Sequence, residues 1–120
     1  MESYKELMVW QKAIELVVKV YQITKTFPQQ ERYALTSQIQ RAVTSIPANI
    51  AEGWGRGSTK EYIHHLKISR GSLMELETHL IVAQRLQYIL NLESLKLIQQ
   101  EIEVIGKMLN KLIISLEKRI

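Results

Sequence analysis

The chain has 120 residues, a formal net charge of +4 and no cysteine, so disulfides and thiolate metal sites are excluded and a single core is possible. Leu, Ile, Lys, Gln and Glu dominate, and every acidic residue is glutamate, a composition that favours helix. Residues 1–6 carry charge, and no stretch approaches the roughly 18 apolar residues of a membrane span. We expect one cytoplasmic domain over residues 1–120.

The first helix is predicted from about Lys5 to Lys25. Ser3 and Glu6 have the spacing of a capping box, and Pro28 ends the helix because the residue before a proline is pushed out of the helical region. The apolar positions at helical spacing are Trp10, Ala13, Ile14, Val17, Val20, Tyr21 and Thr24.

The second helix is predicted from the spacing of Leu35, Ile39, Ala42, Val43, Ile46 and Ile50. Pro47 lies inside this pattern, and we expect the helix to kink and continue, with the Thr44 and Ser45 hydroxyls available to the freed carbonyls. The glycine-rich segment 53–57 is predicted to end the helix. Such a segment can bind a phosphate, but this one follows a helix and lacks the dinucleotide-binding fingerprint, so we interpret it as a turn.

The third and fourth helices each show one apolar seam with alternating steps of three and four residues. Ser58 and Glu61 form a second capping box that opens the third helix, and Asn91 is the predicted cap of the fourth. The third-helix seam comprises Tyr62, Leu66, Ser69, Leu73, Leu76, Leu80 and Ala83, and the fourth-helix seam comprises Leu95, Ile98, Ile102, Ile105, Leu109, Leu112 and Leu116. Short connections then predict an all-α fold, an antiparallel up-and-down four-helix bundle.

The first and fourth helices carry more apolar residues than one seam requires. The surplus comprises Val9, Leu16, Val18, Ile23, Val104, Ile113 and Ile120. A surplus of this kind indicates either a buried subunit interface or a broad core-facing stripe with scattered surface aliphatics, and the sequence does not distinguish them.

Four segments resemble the 23S ribosomal RNA intervening-sequence protein family of bacterial four-helix bundles. They are residues 7–13 (LMVWQKA), 35–42 (LTSQIQRA), 45–53 (SIPANIAEG) and 71–78 (GSLMELET). The resemblance runs in order from the first helix into the last, and the segment 45–53 is its most specific part.

This resemblance implies a ring-shaped homopentamer, because members of the family assemble in that way and are often encoded in or near insertions within ribosomal RNA genes. The accessory protein of diversity-generating retroelements looks like a distant relative, and it binds nucleic acid and a reverse transcriptase. The present chain has Gln40 where the family often has a second arginine beside Arg41.

The sequence offers little for catalysis. A di-iron bundle needs Glu-x-x-His on two helices, and only Glu61 with His64 matches, although Glu61 already has a capping role. His79, four residues after Glu75, is better explained as a surface or seam histidine. Nucleophilic catalysis would have to rely on Ser, His and Glu, and no strand-to-helix turn is predicted. We therefore expect no catalytic residue, metal or cofactor.

A polar line on the second helix comprises Gln38, Arg41, Ser45, Asn49 and Glu52, which step by three or four and so share a face. With Glu75 of the third helix, this line predicts a buried polar network in which Arg41 pairs with a carboxylate. A solvated face is the competing interpretation, and the network is slightly favoured.

Basic residues form two stripes that are candidates for binding nucleic acid. One comprises Arg56, Lys60, His64, Lys67 and Arg70, and the other comprises Lys107, Lys111, Lys118 and Arg119. Lys5, Lys12 and Lys19 add a heptad-spaced line, and Trp54 could stack on an unpaired base. An ordinary solvated surface would show the same pattern.

The sequence therefore predicts a non-enzymatic ring that binds RNA, DNA or a ribonucleoprotein partner through basic surfaces repeated by symmetry. A protein-interaction scaffold without a nucleic-acid role is the alternative. No membrane partner is expected.

Overall fold

A computed structural model describes residues 2–120 and contains four long helices. These are α1 (Met8–Thr24), α2 (Leu35–Gly55), α3 (Thr59–Arg85) and α4 (Leu92–Glu117). Each helix packs against its sequence neighbours, and α4 closes the bundle by packing against α1. The predicted all-α, antiparallel up-and-down four-helix bundle is confirmed.

The N-terminal caps of α3 and α4 are those that the sequence predicts. The Ser58 hydroxyl accepts a hydrogen bond from the Glu61 amide at 3.4 Å, and the Asn91 side chain accepts one from the Ser94 amide at 3.0 Å. The first helix differs, because Ser3 caps a short 3-10 helix (Tyr4–Glu6) and extended backbone at Leu7 delays the start of α1 to Met8.

The predicted seams of α3 and α4 differ from the observed ones at one position each. Ile63 is fully buried where Tyr62 was predicted, and Ile113 is fully buried where Leu112 was predicted. The predicted residues, Tyr62 and Leu112, are partly buried and pack against the edge of the core.

The prediction for α1 is correct at Ala13, Val20 and Thr24 but wrong at Ile14 and Tyr21. Its buried residues are Val9, Ala13, Leu16, Val20, Ile23 and Thr24. Ile14 and Tyr21, both predicted to be core residues, are 38% and 39% exposed. The helix is apolar around more than half of its circumference, so periodicity alone leaves the direction of the core undecided.

The apolar surplus therefore has two separate explanations. Val9, Leu16, Ile23 and Ile113 belong to the core, whereas Val18, Val104 and Ile120 are exposed.

Helix α2 continues through Pro47, as predicted, and Pro47 is buried. Proline has no amide hydrogen, so the Val43 carbonyl lacks the hydrogen bond that residue 47 would donate in a regular helix. The Thr44 hydroxyl donates at 2.9 Å to the Gln40 carbonyl, which lies one turn earlier. The expected compensation by Thr44 thus falls on a different carbonyl.

Segment 53–57 ends α2, as predicted, although the helix continues to Gly55 and only the last part of the segment forms the turn. Gly53 is buried, and a Cβ atom at this position would lie 2.7 Å from the Cβ of His65 on α3. This glycine therefore allows close helix packing instead of ending the helix. The turn itself is shorter and uses Gly57, whose φ of 76° lies in the left-handed region.

Candidate nucleic-acid interface

The two predicted basic stripes lie on neighbouring antiparallel helices, at the end of the bundle where α3 begins and α4 ends. The Lys67 ammonium lies 3.6 Å from the Glu117 carboxylate. The Arg70 guanidinium donates to the Asn110 side-chain oxygen at 2.9 Å. These two contacts hold the first stripe against the half of α4 that carries the second stripe.

Three residues of the two basic stripes already have carboxylate partners. Arg56 binds Glu52 and lies 3.6 Å from Glu61. Lys67 pairs with Glu117, as above, and Lys107 lies 3.4 Å from Glu103. The hydrogen bond from Arg56 lowers the pKa of the Glu52 carboxyl, and the same bond raises the pKa of Arg56. The charges of these three residues are therefore partly neutralised within the chain.

The other five cations of the two stripes are called together the basic end, and they are Lys60, Arg70, Lys111, Lys118 and Arg119. Within residues 2–120, none of the five has a carboxylate oxygen within 4.0 Å. Arg70 is half-buried and the other four are exposed. His64 lies beside them, exposed, with its ring edge-on to that of His65 at 5.4 Å. The basic end can present uncompensated charge to a phosphate backbone.

Trp54 is half-buried in the last turn of α2, with part of its ring covered. The ring of Tyr4 contacts Trp54 at a centroid distance of 6.2 Å and Trp10 at 5.4 Å, both edge to face. Stacking of a base on Trp54 stays a prediction. Nothing in the sequence indicated that Tyr4 would join the two tryptophans.

A polar network does connect α2 and α3, but it contains only part of the predicted set. The Asn49 amide donates to the Ser45 hydroxyl and carbonyl, both at 2.9 Å, and the Ser72 hydroxyl donates to the Ser45 hydroxyl at 2.9 Å. His65 Nδ1 lies 3.0 Å from the Asn49 side-chain oxygen, so this nitrogen acts as the donor. His65 Nε2 lies 3.9 Å from a Glu52 oxygen.

The predicted buried pair of Arg41 with a carboxylate is wrong within the chain. Arg41 and Gln38 are exposed, and Glu75 instead approaches His79 at 3.7 Å. Arg41 lies on the outward side of the line formed by Ser45, Asn49 and Glu52, where its guanidinium is hydrated and needs no partner.

The sequence analysis missed the α3 members of the network, His65 and Ser72, although a signal was present. Small or polar residues at positions 65, 69 and 72 step by four and three, and so lie on one face of α3. The middle one, Ser69, is fully buried and donates to the Ile46 carbonyl at 2.9 Å.

The structure shows few features of other functional classes. Among residues 2–120, no three His or Glu side chains come together as metal ligands. Over the same range, no helix combines the length and apolar character needed to cross a bilayer. Glu61, from the predicted Glu-x-x-His motif, lies beside Arg56.

Comparisons with known proteins identify relatives of the whole bundle. Residues 5–111 match the sequence profile described as 23S rRNA-intervening sequence protein. A crystal structure from Bacteroides thetaiotaomicron, described as a protein of unknown function from the S23 ribosomal protein family, is similar with a TM-score of 0.79 and 30% identity. The similarity covers 88% of this chain and 98% of that one. Among proteins with curated functions, none matches. The chain belongs to the 23S rRNA-intervening sequence protein family.

Proposed function

We propose that the chain is a non-enzymatic cytoplasmic protein that assembles into a ring-shaped homopentamer and binds RNA, or a ribonucleoprotein partner, through the basic end. The observation that supports the proposal is the group of five cations without carboxylate neighbours, which lie towards the end of the bundle where α3 begins and α4 ends. In a ring, this surface is repeated by symmetry. Several weak sites acting together then bind one polymer far more tightly than a single site.

RNA is the preferred ligand because of the family to which the chain belongs. The family description refers to the intervening sequence of 23S ribosomal RNA, and the similar crystal structure is assigned to a ribosomal protein family. Both names associate relatives of this chain with ribosomal RNA and so support the proposal.

The self-association surface that we propose is the side of α1 that faces α2. Here Ile14 and Tyr21 are 38% and 39% exposed, beside a groove of about 360 Å³. The groove is lined by Tyr4, Trp10, Ile14, Val17, Thr44, Pro47, Ala48 and Ala51. No lining residue is charged, so a neighbouring subunit could cover this surface without burying an ion.

Light scattering tests assembly directly. We expect the wild-type chain to be a pentamer at micromolar concentration and Ile14→Lys to dissociate it, because a buried ammonium at an apolar interface is costly. Ile81→Lys is the matched control, since Ile81 on α3 is 42% exposed and lies outside this groove. A monomeric wild-type protein would remove the assembly from the proposal.

Nucleic-acid binding is tested by reversing charge at the basic end. We expect Lys60→Glu, Lys111→Glu and Lys118→Glu together to abolish binding of single-stranded RNA, measured by fluorescence anisotropy. Wild-type affinity should fall with salt, with a log-log slope of about −0.7 per phosphate contact, because each contact releases counterions. Trp54→Ala should weaken single-strand binding more than duplex binding if a base stacks on the ring.

The control applies the same total charge change at the opposite end of the bundle, through Lys25→Glu, Arg85→Glu and Lys96→Glu. All three residues are exposed and lie near the end of α1, the end of α3 and the start of α4. This variant should retain most of its binding. If the wild-type chain binds neither RNA nor DNA at low salt, the nucleic-acid function fails. The protein-interaction scaffold then stands, and the internal ion pairs of Arg56, Lys67 and Lys107 favour it.

A further inference from the structure

A second groove runs between α1 and α4, on the other side of α1 from the proposed self-association surface. It consists of two adjoining depressions of about 440 and 230 Å³. Lys19 and Leu97 line both depressions, so they form one continuous surface, which we call the α1–α4 groove.

The α4 wall of this groove is apolar and follows a heptad repeat. Leu90, Leu97 and Val104 are spaced by seven residues and are 73%, 53% and 43% exposed. Leu97 and Val104 belong to α4, and Leu90 lies in the connection before it. Seven-residue spacing is the period at which one helix contacts another along a shared seam. The seven-residue step from Leu97 to Val104 within α4 corresponds to roughly 10 Å, about two helical turns, and Leu90 extends the line beyond the start of the helix.

The α1 wall is basic. Lys12 and Lys19 are also seven residues apart, and both line the groove. The Lys19 ammonium pairs with Glu101 at 2.7 Å, whereas within residues 2–120 no carboxylate lies within 4.0 Å of the Lys12 ammonium. The groove thus offers one free cation beside an apolar line.

We propose that the α1–α4 groove docks an amphipathic helix of another protein. That helix would place apolar residues at heptad spacing against Leu97 and Val104. It would also carry glutamate or aspartate on the flank that faces Lys12. Two-fold contact of this groove with itself is unfavourable, since it would bring Lys12 against Lys12. Head-to-tail contact in the proposed ring would instead place a different surface of a second copy here, and the oligomeric mass measured below distinguishes that occupant. The inference goes beyond the proposed RNA function, although Lys111 and Lys118 of the basic end continue the seven-residue line of Leu97 and Val104 along α4.

The groove between α3 and α4 shows why charge selects the occupant. It has a volume of about 450 Å³, close to that of the larger depression. It also presents two exposed apolar residues seven apart, Met74 and Ile81. Its charged lining residues are Glu77, Glu103 and Lys107, and Lys107 is already paired with Glu103. An acidic helix is therefore repelled there and attracted to the α1–α4 groove.

The test uses two synthetic peptides of three heptads with leucine at the a and d positions, one with glutamate and one with lysine at e and g. We expect the full-length chain to bind the glutamate peptide and not the lysine peptide at low salt. Lys12→Glu, and separately Leu97→Gln with Val104→Gln, should each weaken binding by at least about ten-fold. Met74→Gln with Ile81→Gln is the matched control and should leave the affinity unchanged.

The position of the bound peptide can be measured independently with a single fluorophore on an introduced cysteine, because the chain has no cysteine of its own. A fluorophore attached after Gln100→Cys lies in the α1–α4 groove, and one attached after Gln99→Cys lies in the α3–α4 groove. The glutamate peptide should change the first signal and not the second. Circular dichroism of every variant checks that the bundle is intact.

Three results would overturn the proposal: equal binding of both peptides, binding that is insensitive to Lys12 and Leu97, or a changed oligomeric mass when Leu97 and Val104 are replaced. The last would identify the groove as a contact between copies. Failure here is distinguishable from failure of the RNA function, because Lys60→Glu on α3 should leave peptide binding intact and Lys12→Glu should leave RNA binding intact.

Discussion

Replacing Leu16 with alanine should lower the free energy of unfolding by about 2–5 kcal/mol, whereas Ile14→Ala should lower it by less than about 1 kcal/mol. Leu16 is fully buried and Ile14 is 38% exposed. Truncation of a buried leucine removes transfer free energy and leaves a cavity, but truncation of a half-exposed isoleucine leaves little cavity. For a domain whose total stability is on the order of 5–15 kcal/mol, the Leu16 effect is a large fraction.

Urea denaturation at two protein concentrations measures both effects. The Leu16 loss should not depend on concentration, since this side chain lies inside one bundle. The Ile14 effect should grow with concentration if neighbouring subunits cover this residue. A larger loss for Ile14 than for Leu16 at the lower concentration would contradict the observed orientation of α1 and restore the face predicted from the sequence.

The contrast between Leu16 and Ile14 also shows where the spacing of apolar residues identifies the buried face of a helix and where it does not. Helix α3 has one apolar seam flanked by charged and polar residues, so the spacing of Leu66, Leu73 and Leu80 identifies the core directly. Helix α1 has apolar residues on several adjacent faces, and the prediction favoured the face with Trp10 and Tyr21. Those rings instead lie to the side of the core, partly buried or exposed. Only packing against α2 and α4 decides between such faces.

Residues of the candidate interface were predictable as types but only partly as pairs. Arg56 with Glu52 and Lys107 with Glu103 are four residues apart, a spacing at which helical side chains meet, so the sequence already contained a signal for these two ion pairs. The sequence could not show that Lys67 would be paired, because its partner, Glu117, is 50 positions away in the chain. The polar network failed for a related reason: a step of three or four residues places Arg41 near the Asn49 line, but only tertiary contact separates an outward position from one facing α3.

The sequence predicted that segment 53–57 ends α2, but it did not show that Gly53 allows α3 to approach closely. The substitution Gly53→Ala tests this packing role. We expect this change to lower the free energy of unfolding by about 1–3 kcal/mol, the usual cost of overpacking. The new Cβ would lie 2.7 Å from His65 Cβ and 3.2 Å from the Tyr62 carbonyl oxygen. Neither contact is the flexible end of a side chain, so α2 and α3 must separate.

Gly55→Ala is the matched control, two residues away in the same helical turn. A Cβ at Gly55 would meet no atom within 4 Å, and this glycine does not have a positive φ. Alanine there should raise the free energy of unfolding by about 0.4–1 kcal/mol, because it restricts the unfolded chain without a steric cost. The two changes are chemically identical, so opposite signs in urea denaturation can come only from the approach of α3 to Gly53. If both substitutions stabilise the protein, the glycine segment acts as a simple helix end, and close packing at Gly53 is refuted.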